Sequence, residues 1–224
     1  MNKIATAFDE IATKYDQQRR SLIPCYDDFY KLMVVLSETK AAQPKILDIG
    51  AGTGLLTNFL MTKFPNASYI LIDIADEMLN VARQRFQRLS NVSYITSDYK
   101  DFVEPSGYDI IVSTLSIHHL TDLEKKKLYL GIFKSLKKGG VFVNGDQFLA
   151  RTPETEQWHQ SLWKGKIENT SLTEQEKQAA YERMKLDIPS TVDDNLKWME
   201  EAGFANVDLF YKYLVFGIIR GMKP

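Results

Sequence analysis

Short apolar runs alternate with amphipathic stretches through the middle of this 224-residue chain. In "KILDIG" and "YDIIVSTL" the apolar residues are nearly continuous, which is typical of strands buried on both faces. Amphipathic stretches near 55–64, 76–89 and 122–136 separate the runs. This β-α-β-α order needs crossover connections, so it predicts a parallel sheet covered by helices on both faces. The predicted strands of this region are 45–49, 68–73, 92–96, 108–115 and 141–145.

The two ends of the chain have a different pattern from the middle. Residues 1–42 are predicted to form two helices with a break near 21–24, and residues 151–188 contain no convincing strand. An amphipathic helix near 192–202 is followed by two β-rich runs, 206–211 and 214–220, close enough for an antiparallel hairpin. We therefore expect one domain, divided into an N-terminal helical lid (1–42), a core (43–150), a helical lid insertion (151–190) and a final helix with a hairpin (191–224).

Composition excludes several classes of function. Hydrophobic residues make up 44% of the chain and charged residues 25%, and the net charge of −1 creates no overall attraction to nucleic acid or to an anionic membrane. The single cysteine, Cys25, cannot form an intrachain disulfide, which favours an intracellular protein. The first residues lack a secretory signal pattern, and no apolar run reaches the ~20 residues of a membrane span. We expect a cytoplasmic protein without a membrane partner.

Three glycines alternate in "DIGAGTG", residues 48–54, directly after the first predicted strand. Glycine weakens strands and helices, so three together suggest that another group must approach the backbone. Ligands of open parallel sheets bind at the carboxyl ends of the strands, and Gly50 and Gly52 lie at such an end. A glycine-rich turn alone is a weak signal for a nucleotide-type ligand, and a second feature is needed.

Acidic and polar residues end the neighbouring strands at the same rim. Asp73 ends the second strand roughly 20 residues after the glycines, where a carboxylate can accept hydrogen bonds from both ribose hydroxyls of an adenosine. Asp98 and Tyr99 end the third strand, and Asp98 could accept from the exocyclic amine of adenine. Small polar residues such as Ser113 end the fourth. Together these positions predict an adenosine cofactor site.

The spacing of the glycines separates two kinds of adenosine cofactor. A dinucleotide fingerprint reads G-x-G-x-x-G and holds a pyrophosphate at a helix N-terminus, whereas this chain has G-x-G-x-G. Asp48 stands two residues before the first glycine and is a poor neighbour for phosphates. A carboxylate there suits a positively charged ligand, and S-adenosylmethionine carries an adenosine, a sulfonium cation and an amino-acid group.

With these motifs the sequence resembles the class I S-adenosylmethionine-dependent methyltransferases over most of its length. The likeness rests on "ILDIGAGTG", "LIDIADEML", "SDYKDF", "YDIIVSTLSIHHL", "LKKGGVFVNGD" and the final "GFANVDLFYKYLVFGIIRGM". It implies a Rossmann-like three-layer sandwich with a seven-stranded, mostly parallel sheet and an antiparallel last strand. It also implies that S-adenosylmethionine is converted to S-adenosylhomocysteine. The residues that the resemblance assigns to the cofactor are Gly50 and Gly52 at its amino-acid end, Asp73 at the ribose, Ile74 and Met78 beside the adenine, Asp98 at the adenine amine, and Ser113 near the methionine portion.

The N-terminal "AFDEIATKYDQQRR" resembles the lid of such enzymes, in which Tyr15 and either Arg19 or Arg20 could close over the cofactor. A narrower likeness links "RRSLIPCYDDF" and the region from Trp158 onward to the carboxy-S-adenosylmethionine synthases that serve tRNA wobble-uridine modification. The regular "GAGTG" loop and the register of Arg183 depart from those enzymes. We expect methyl transfer to a small molecule, with a synthase-like activity or a non-catalytic cofactor-binding module as the alternatives.

Methyl transfer mainly requires alignment of donor and acceptor and exclusion of water, and it needs a base only when the acceptor must lose a proton early. The candidate catalytic residues are His119, which is preferred, and His118, because both follow the fourth strand at the presumed site.

Trp158, His159 and Trp163 are candidates for a substrate wall in the lid, and this aromatic surface could equally serve a homodimer contact. No histidine or cysteine spacing suits zinc, so no metal site is expected. The lysine-rich stretches are typical of a solvated helix face and of a helix end, so nucleic acid is not an expected partner.

Overall fold

Seven strands form one sheet in the computed structural model, which describes residues 3–9, 11, 12, 14–101 and 107–224. In chain order the strands are β1 (Lys45–Ile49), β2 (Ser68–Asp73), β3 (Val92–Thr96), β4 (Tyr108–Thr114), β5 (Leu136–Gln147), β6 (Ala205–Tyr213) and β7 (Phe216–Met222). Their order across the sheet is β3-β2-β1-β4-β5-β7-β6, and β7 runs antiparallel to both of its neighbours. The predicted seven-stranded sheet with an antiparallel last strand is confirmed.

Helices surround the sheet in the described part of the chain. They are α1 (Lys3–Asp9), α2 (Tyr15–Leu22), α3 (Tyr26–Leu36), α4 (Leu55–Lys63), α5 (Asp76–Arg85), α6 (Asp122–Ser135), α7 (Pro153–Glu168), α8 (Glu174–Met184) and α9 (Val192–Ala202). Side-chain oxygens of threonine accept from backbone N–H groups at the starts of α6, α7, α8 and α9, which satisfies donors that a helix leaves free. None of these helices combines the length and the apolar character that crossing a membrane requires.

Two apolar clusters cover the two faces of the sheet. Because successive side chains of a strand point to opposite faces, Ile46 joins one cluster and Leu47 joins the other. The first cluster includes residues of α3, α4 and α5, and the second includes residues of α6 and α9. The strand order reverses between β1 and β4, where crossovers leave in opposite directions. In such a sheet a ligand crevice opens at the carboxyl ends of these strands.

Several element boundaries differ from the sequence predictions, and three of the differences have a clear local cause. The N-terminal segment holds three helices in its described residues, because α1 and α2 are separate before the predicted break. The fifth strand starts at Leu136 and ends at Gln147, since its early residues continue pairing with β4 and its later ones with β7. The fourth strand ends at Thr114, because Leu115 has a φ of 51°.

Gly203 ends α9 in a conformation that few other residues adopt. Its φ is 106°, its N–H donates to the Glu200 carbonyl at 2.9 Å, and an added Cβ would lie 2.9 Å from the Phe133 ring. We expect Gly203→Ala to lower the free energy of unfolding by roughly 1–2 kcal/mol, through the left-handed backbone and the contact with Phe133. Urea unfolding followed by circular dichroism measures the change.

Gly165→Ala is the matched control, because Gly165 lies within α7 and an added Cβ there would meet no atom within 4 Å. Alanine should stabilise that helix by about 0.5–1 kcal/mol. Equal effects of the two substitutions would contradict this account of Gly203.

Candidate functional site

The loop after β1 is left-handed at each of its three glycines. Gly50, Gly52 and Gly54 have φ values of 65°, 54° and 73°, a region that side chains strongly disfavour. Space is also restricted at the first position, because a Cβ on Gly50 would lie 1.9 Å from Ser116 Oγ. The glycines are therefore required by the backbone path of the loop and by its close packing.

Asp73 holds this loop against the end of β2. Its Oδ2 accepts from the Gly52 N–H at 2.8 Å, and its Oδ1 accepts from the Ala75 N–H at 2.9 Å. Burial raises the pKa of Asp73 to about 6, although these amides oppose the rise. Asp48 is buried behind the loop, and its Oδ2 accepts from Thr57 Oγ1 at 2.6 Å. Burial, with a contribution from Asp73, raises the pKa of Asp48 to about 7.

A cavity opens beside the loop, and we call it the glycine cavity. Asp73 lines it at the end of β2, and the Tyr99 hydroxyl is hydrogen-bonded to Ser116 within its lining. Eight residues that were predicted to bind the cofactor or to act in catalysis line the glycine cavity. They are Tyr15, Gly50, Gly52, Asp73, Ile74, Met78, Tyr99 and His119.

Four predicted cofactor residues do not line the glycine cavity. Asp98 pairs with the Lys100 side chain at 3.0 Å, and Ser113 Oγ donates to the Ile49 carbonyl at 2.8 Å, where it joins β4 to β1. Asp48 stays behind the loop, and Arg20 is exposed, paired with Asp27 at 2.9 Å.

The face of α2 explains why Arg19 rather than Arg20 turns inward. Tyr15, Arg19 and Leu22 recur at helical spacing and line a second cavity, whereas Arg20 lies on the other side of the helix. The guanidinium of Arg19 stacks on the Tyr15 ring, 3.9 Å from its centroid. The geometry favours Arg19 over Arg20 as the lid arginine.

The second cavity, which we call the arginine cavity, lies between the lid helices and the ends of β4 and β5. Two of its walls come from α2 and from the region of α8, and Trp163 of α7 lies between them. It shares part of its lining with the glycine cavity, so the two adjoin. The shared residues are Phe8, Tyr15, Leu115 and His119.

Two arginines bring positive charge into this cavity, and the carboxylate of Asp187 in its lining does not form a direct ion pair with either of them. Within the described chain, neither Arg19 nor Arg183 has an ion pair within 4.0 Å. Burial lowers the pKa of Arg19 to about 10, and the charge of Arg183 adds to that shift. Burial also lowers the pKa of Arg183, with Asp187 opposing it. Mutually repelling, partly desolvated guanidinium groups favour an anion between them.

Both candidate catalytic histidines lie in one buried cluster with two carboxylates. The short 3₁₀ helix Ile117–His119 follows β4 and places the His118 Nδ1 2.5 Å from Asp146 Oδ1. His118 Nε2 and His119 Nδ1 each lie 3.3 Å from Asp187 Oδ1. Burial opposes a charge on His118, but Asp146 and Asp187 outweigh it and raise the pKa of His118 to about 10. Burial and the charge of His118 lower the pKa of His119.

The predicted substrate residues separate in the structure. Trp163 lines the arginine cavity, and its Nε1 donates to the Leu22 carbonyl at 2.9 Å, which joins α7 to α2. Trp158 is 63% exposed, and His159 stacks on it away from both cavities. Trp158 and His159 therefore line neither cavity, because α7 turns its Trp163 face toward the arginine cavity.

Sequence reasoning gave no role to Asp187 and none to Leu115. Asp187 follows α8 at helical spacing from Arg183, a signal that a helical-wheel reading could have used. Leu115 has a left-handed φ of 51°, which is uncommon for a side chain that large, and it lines both cavities. Its backbone strain lies at the wall between the two cavities.

Comparisons with known proteins agree with this architecture. Residues 46–140 match the protein-family model described as a methyltransferase domain. A carboxy-S-adenosyl-L-methionine synthase of Nautilia profundicola is 24% identical over 96% of this chain and 93% of its own length. A malonyl-[acyl-carrier protein] O-methyltransferase of Bacillus cytotoxicus is 30% identical over 63% of this chain, which spans only 46% of that relative.

Solved structures show the same fold. A phosphoethanolamine N-methyltransferase of Haemonchus contortus, in complex with S-adenosyl-L-methionine, superposes with a TM-score of 0.64. It is 16% identical, and the match covers 89% of this chain and 53% of that one. At this identity the likeness concerns the fold alone.

The buried carboxylate of Asp48 should make stability depend on pH. Its pKa of about 7 in the folded protein exceeds the ordinary 3.8, so the folded state holds the proton more tightly and stability falls as pH rises between these values. Ionisation above pH 7 costs the folded state up to about 4 kcal/mol. Asp48→Asn removes this cost, so its gain in stability over the wild type should be small at pH 4 and large at pH 8.

Thermal unfolding without added ligand, at several pH values, measures the effect. Asp98→Asn, at the exposed side of the same rim, controls for the general loss of a negative charge. A difference between Asp48→Asn and the wild type that stays constant with pH would contradict the assignment.

Proposed function

We propose that the chain is a class I S-adenosylmethionine-dependent methyltransferase and that it methylates a small anionic molecule bound in the arginine cavity, and the match of residues 46–140 to a methyltransferase domain supports this. The observation that carries the proposal is the adjoining pair of cavities, one beside the glycine loop and one lined by Arg19 and Arg183.

The glycine cavity fits S-adenosylmethionine in the chemistry of its lining. Asp73 is a buried carboxylate able to accept from ribose hydroxyls, and Ile74 and Met78 supply apolar surface for an adenine. The left-handed glycines leave a cradle without side chains at the amino-acid end. Tyr15 and Arg19 of α2 adjoin this cavity, and Arg19 is the proposed partner of the cofactor's carboxylate.

The position of the arginine cavity under the lid favours a small acceptor over a macromolecule. The cavity lies under α2, α7 and α8, so a polymer could enter only with a short extension. If Arg19 pairs with the cofactor's carboxylate, Arg183 remains for a second anionic group. A carboxylate or a phosphate on the acceptor matches this charge.

S-adenosylmethionine, when bound, supplies a methyl group already activated by a sulfonium. The chain's own contribution is alignment and exclusion of water. His119 and Leu115 lie in the wall that the two cavities share, so they contact the region where donor and acceptor meet. Asp187 and Asp146 hold the two histidine rings, so we assign His119 to orienting the acceptor and His118 to supporting that position.

A second candidate function is carboxy-S-adenosylmethionine synthesis. The likeness to the Nautilia profundicola synthase covers nearly the whole chain, including both lid segments. Two unpaired arginines would also suit an additional carboxylate on the cofactor itself. Mass spectrometry of ligand released from purified protein, and of products made from S-adenosylmethionine, separates the two, because only the synthase yields a carboxylated cofactor.

Three further expectations accompany the proposal. Cys25 is buried and free, which supports a cytoplasmic protein. The exposed Trp158 and Leu162 of α7 support a homodimer contact through the lid. The net charge of −1 supports the exclusion of nucleic acid as a partner.

Asp73→Ala should weaken binding of S-adenosylhomocysteine about 10- to 100-fold, because hydrogen bonds to a charged acceptor are worth ~1.5–3 kcal/mol. Isothermal titration calorimetry measures it, with Glu200→Ala as the control, because Glu200 is exposed on α9 and lines neither cavity. Thermal unfolding of both variants checks that the fold survives. Unchanged affinity in a folded Asp73→Ala protein would refute the ribose assignment.

The acceptor class can be tested with methyl-labelled S-adenosylmethionine and a cell extract divided into small molecules, RNA and protein. We expect label in the small-molecule fraction, retained on an anion exchanger. Arg183→Gln should reduce that transfer at least tenfold while binding of S-adenosylhomocysteine changes little, since Arg183 does not line the glycine cavity.

Lys185→Gln, an exposed change at the end of α8, controls for loss of one positive charge. Label in RNA or protein, or in a product that the exchanger does not retain, would contradict the proposal. Binding of S-adenosylhomocysteine without transfer to any fraction would favour a non-catalytic module.

A further inference from the structure

Two histidines and a carboxylate converge on one wall of the arginine cavity. His118, His119 and Asp187 each line it, and one ligand atom from each lies within 4.8 Å of the other two. Among the described residues this is the single group of three with that proximity. The sequence does not reveal this group, because the two histidines are adjacent whereas Asp187 lies far along the chain, in the lid after α8.

The ring of His118 is held in the orientation that a metal ligand needs. Its Nδ1 lies 2.5 Å from Asp146 Oδ1, and its backbone N–H donates to Asp146 Oδ2 at 3.1 Å. A carboxylate on one ring nitrogen fixes the orientation of the ring and directs the other nitrogen at the site. That other nitrogen, Nε2, faces Asp187 Oδ1, and a metal ion would bind there by displacing the proton that lies between them.

The side chains of Asp187 and His119 complete the arrangement. Asp187 Oδ2 accepts from Gln147 Nε2 at 3.3 Å, so its Oδ1 is the oxygen directed at both histidines. His119 is only 9% exposed, and within the described structure neither of its ring nitrogens makes a well-aligned hydrogen bond. A buried imidazole without a hydrogen-bond partner is costly, and coordination to a cation would satisfy it.

The distances agree with a shared metal ion. Ligand atoms about 2.1 Å from a metal and separated by a tetrahedral angle lie ~3.4 Å apart. Both His118 Nε2 and His119 Nδ1 lie 3.3 Å from Asp187 Oδ1. We propose that His118, His119 and Asp187 bind one divalent transition-metal ion, with Zn²⁺ as the probe that tests the site.

Two imidazoles and one carboxylate suit Zn²⁺, Fe²⁺, Mn²⁺, Co²⁺ or Ni²⁺ and do not suit Mg²⁺ or Ca²⁺, which prefer oxygen ligands throughout. Three protein ligands leave at least one coordination position, and the cluster lies in the wall of the arginine cavity. An anionic group in that cavity could occupy it, a consequence that rests on the proposed function. Metal binding itself is measured without any acceptor.

Calorimetry of the full chain, after treatment with a chelator and dialysis, should detect one Zn²⁺ per chain with a dissociation constant of micromolar or tighter. Asp187→Asn keeps the shape of the side chain but offers a poorer ligand, and it should weaken binding at least 100-fold, as should His119→Gln. Asp146→Asn should weaken binding about 10- to 100-fold, because it removes the carboxylate that orients His118. Near-ultraviolet circular dichroism of each variant checks its fold.

The matched control is His159→Gln, since His159 is the one histidine of the chain outside the cluster. Its Zn²⁺ affinity should equal that of the wild type. Co²⁺ added to the wild type should give a visible spectrum of nitrogen and oxygen ligation, a readout that needs no variant. Absence of stoichiometric binding, equal binding by Asp187→Asn, or loss of binding in His159→Gln would each overturn the proposal.

Discussion

The hydrogen bond from the Gly52 N–H to Asp73 Oδ2 is the constraint on which the rest of the site depends. It ties a loop of left-handed residues at the end of β1 to the end of its neighbour β2. The loop can follow this path because its glycines have no side chains to clash with Ser116 or Met78. The carboxylate that accepts the bond is buried, so its negative charge lacks the stabilisation that water would provide. A positively charged ligand at this rim would offset part of that cost.

Charge is distributed unequally between the two cavities. Carboxylates stand at and behind the glycine loop, whereas the arginine cavity has Arg19 and Arg183 as well as the cluster of His118, His119 and Asp187. A sulfonium donor and an anionic acceptor would therefore each meet charge of the opposite sign. The boundary between the cavities is formed in part by His119 and by the strained Leu115. Precise alignment at that boundary is the main requirement of methyl transfer.

The sheet and the glycine cavity were largely predictable, because both depend on local sequence. Nearly continuous apolar runs identify buried strands, and an acidic residue at the end of the second strand identifies the rim. The choice between Arg19 and Arg20 needed the orientation of α2, which fixes which residue faces inward. The histidine cluster could not be predicted, because Asp187 reaches His118 only through the packing of the lid on the sheet. Trp158 was a candidate for the substrate wall because its aromatic side chain is large, but in the structure that side chain faces solvent.

A crystal structure of the protein with S-adenosylhomocysteine would show whether donor and acceptor meet at the wall shared by the two cavities. We expect the ribose hydroxyls to bind Asp73 and the sulfur to face His119 and the arginine cavity. A sulfur directed away from that cavity, or a ribose bound elsewhere, would rule out this arrangement.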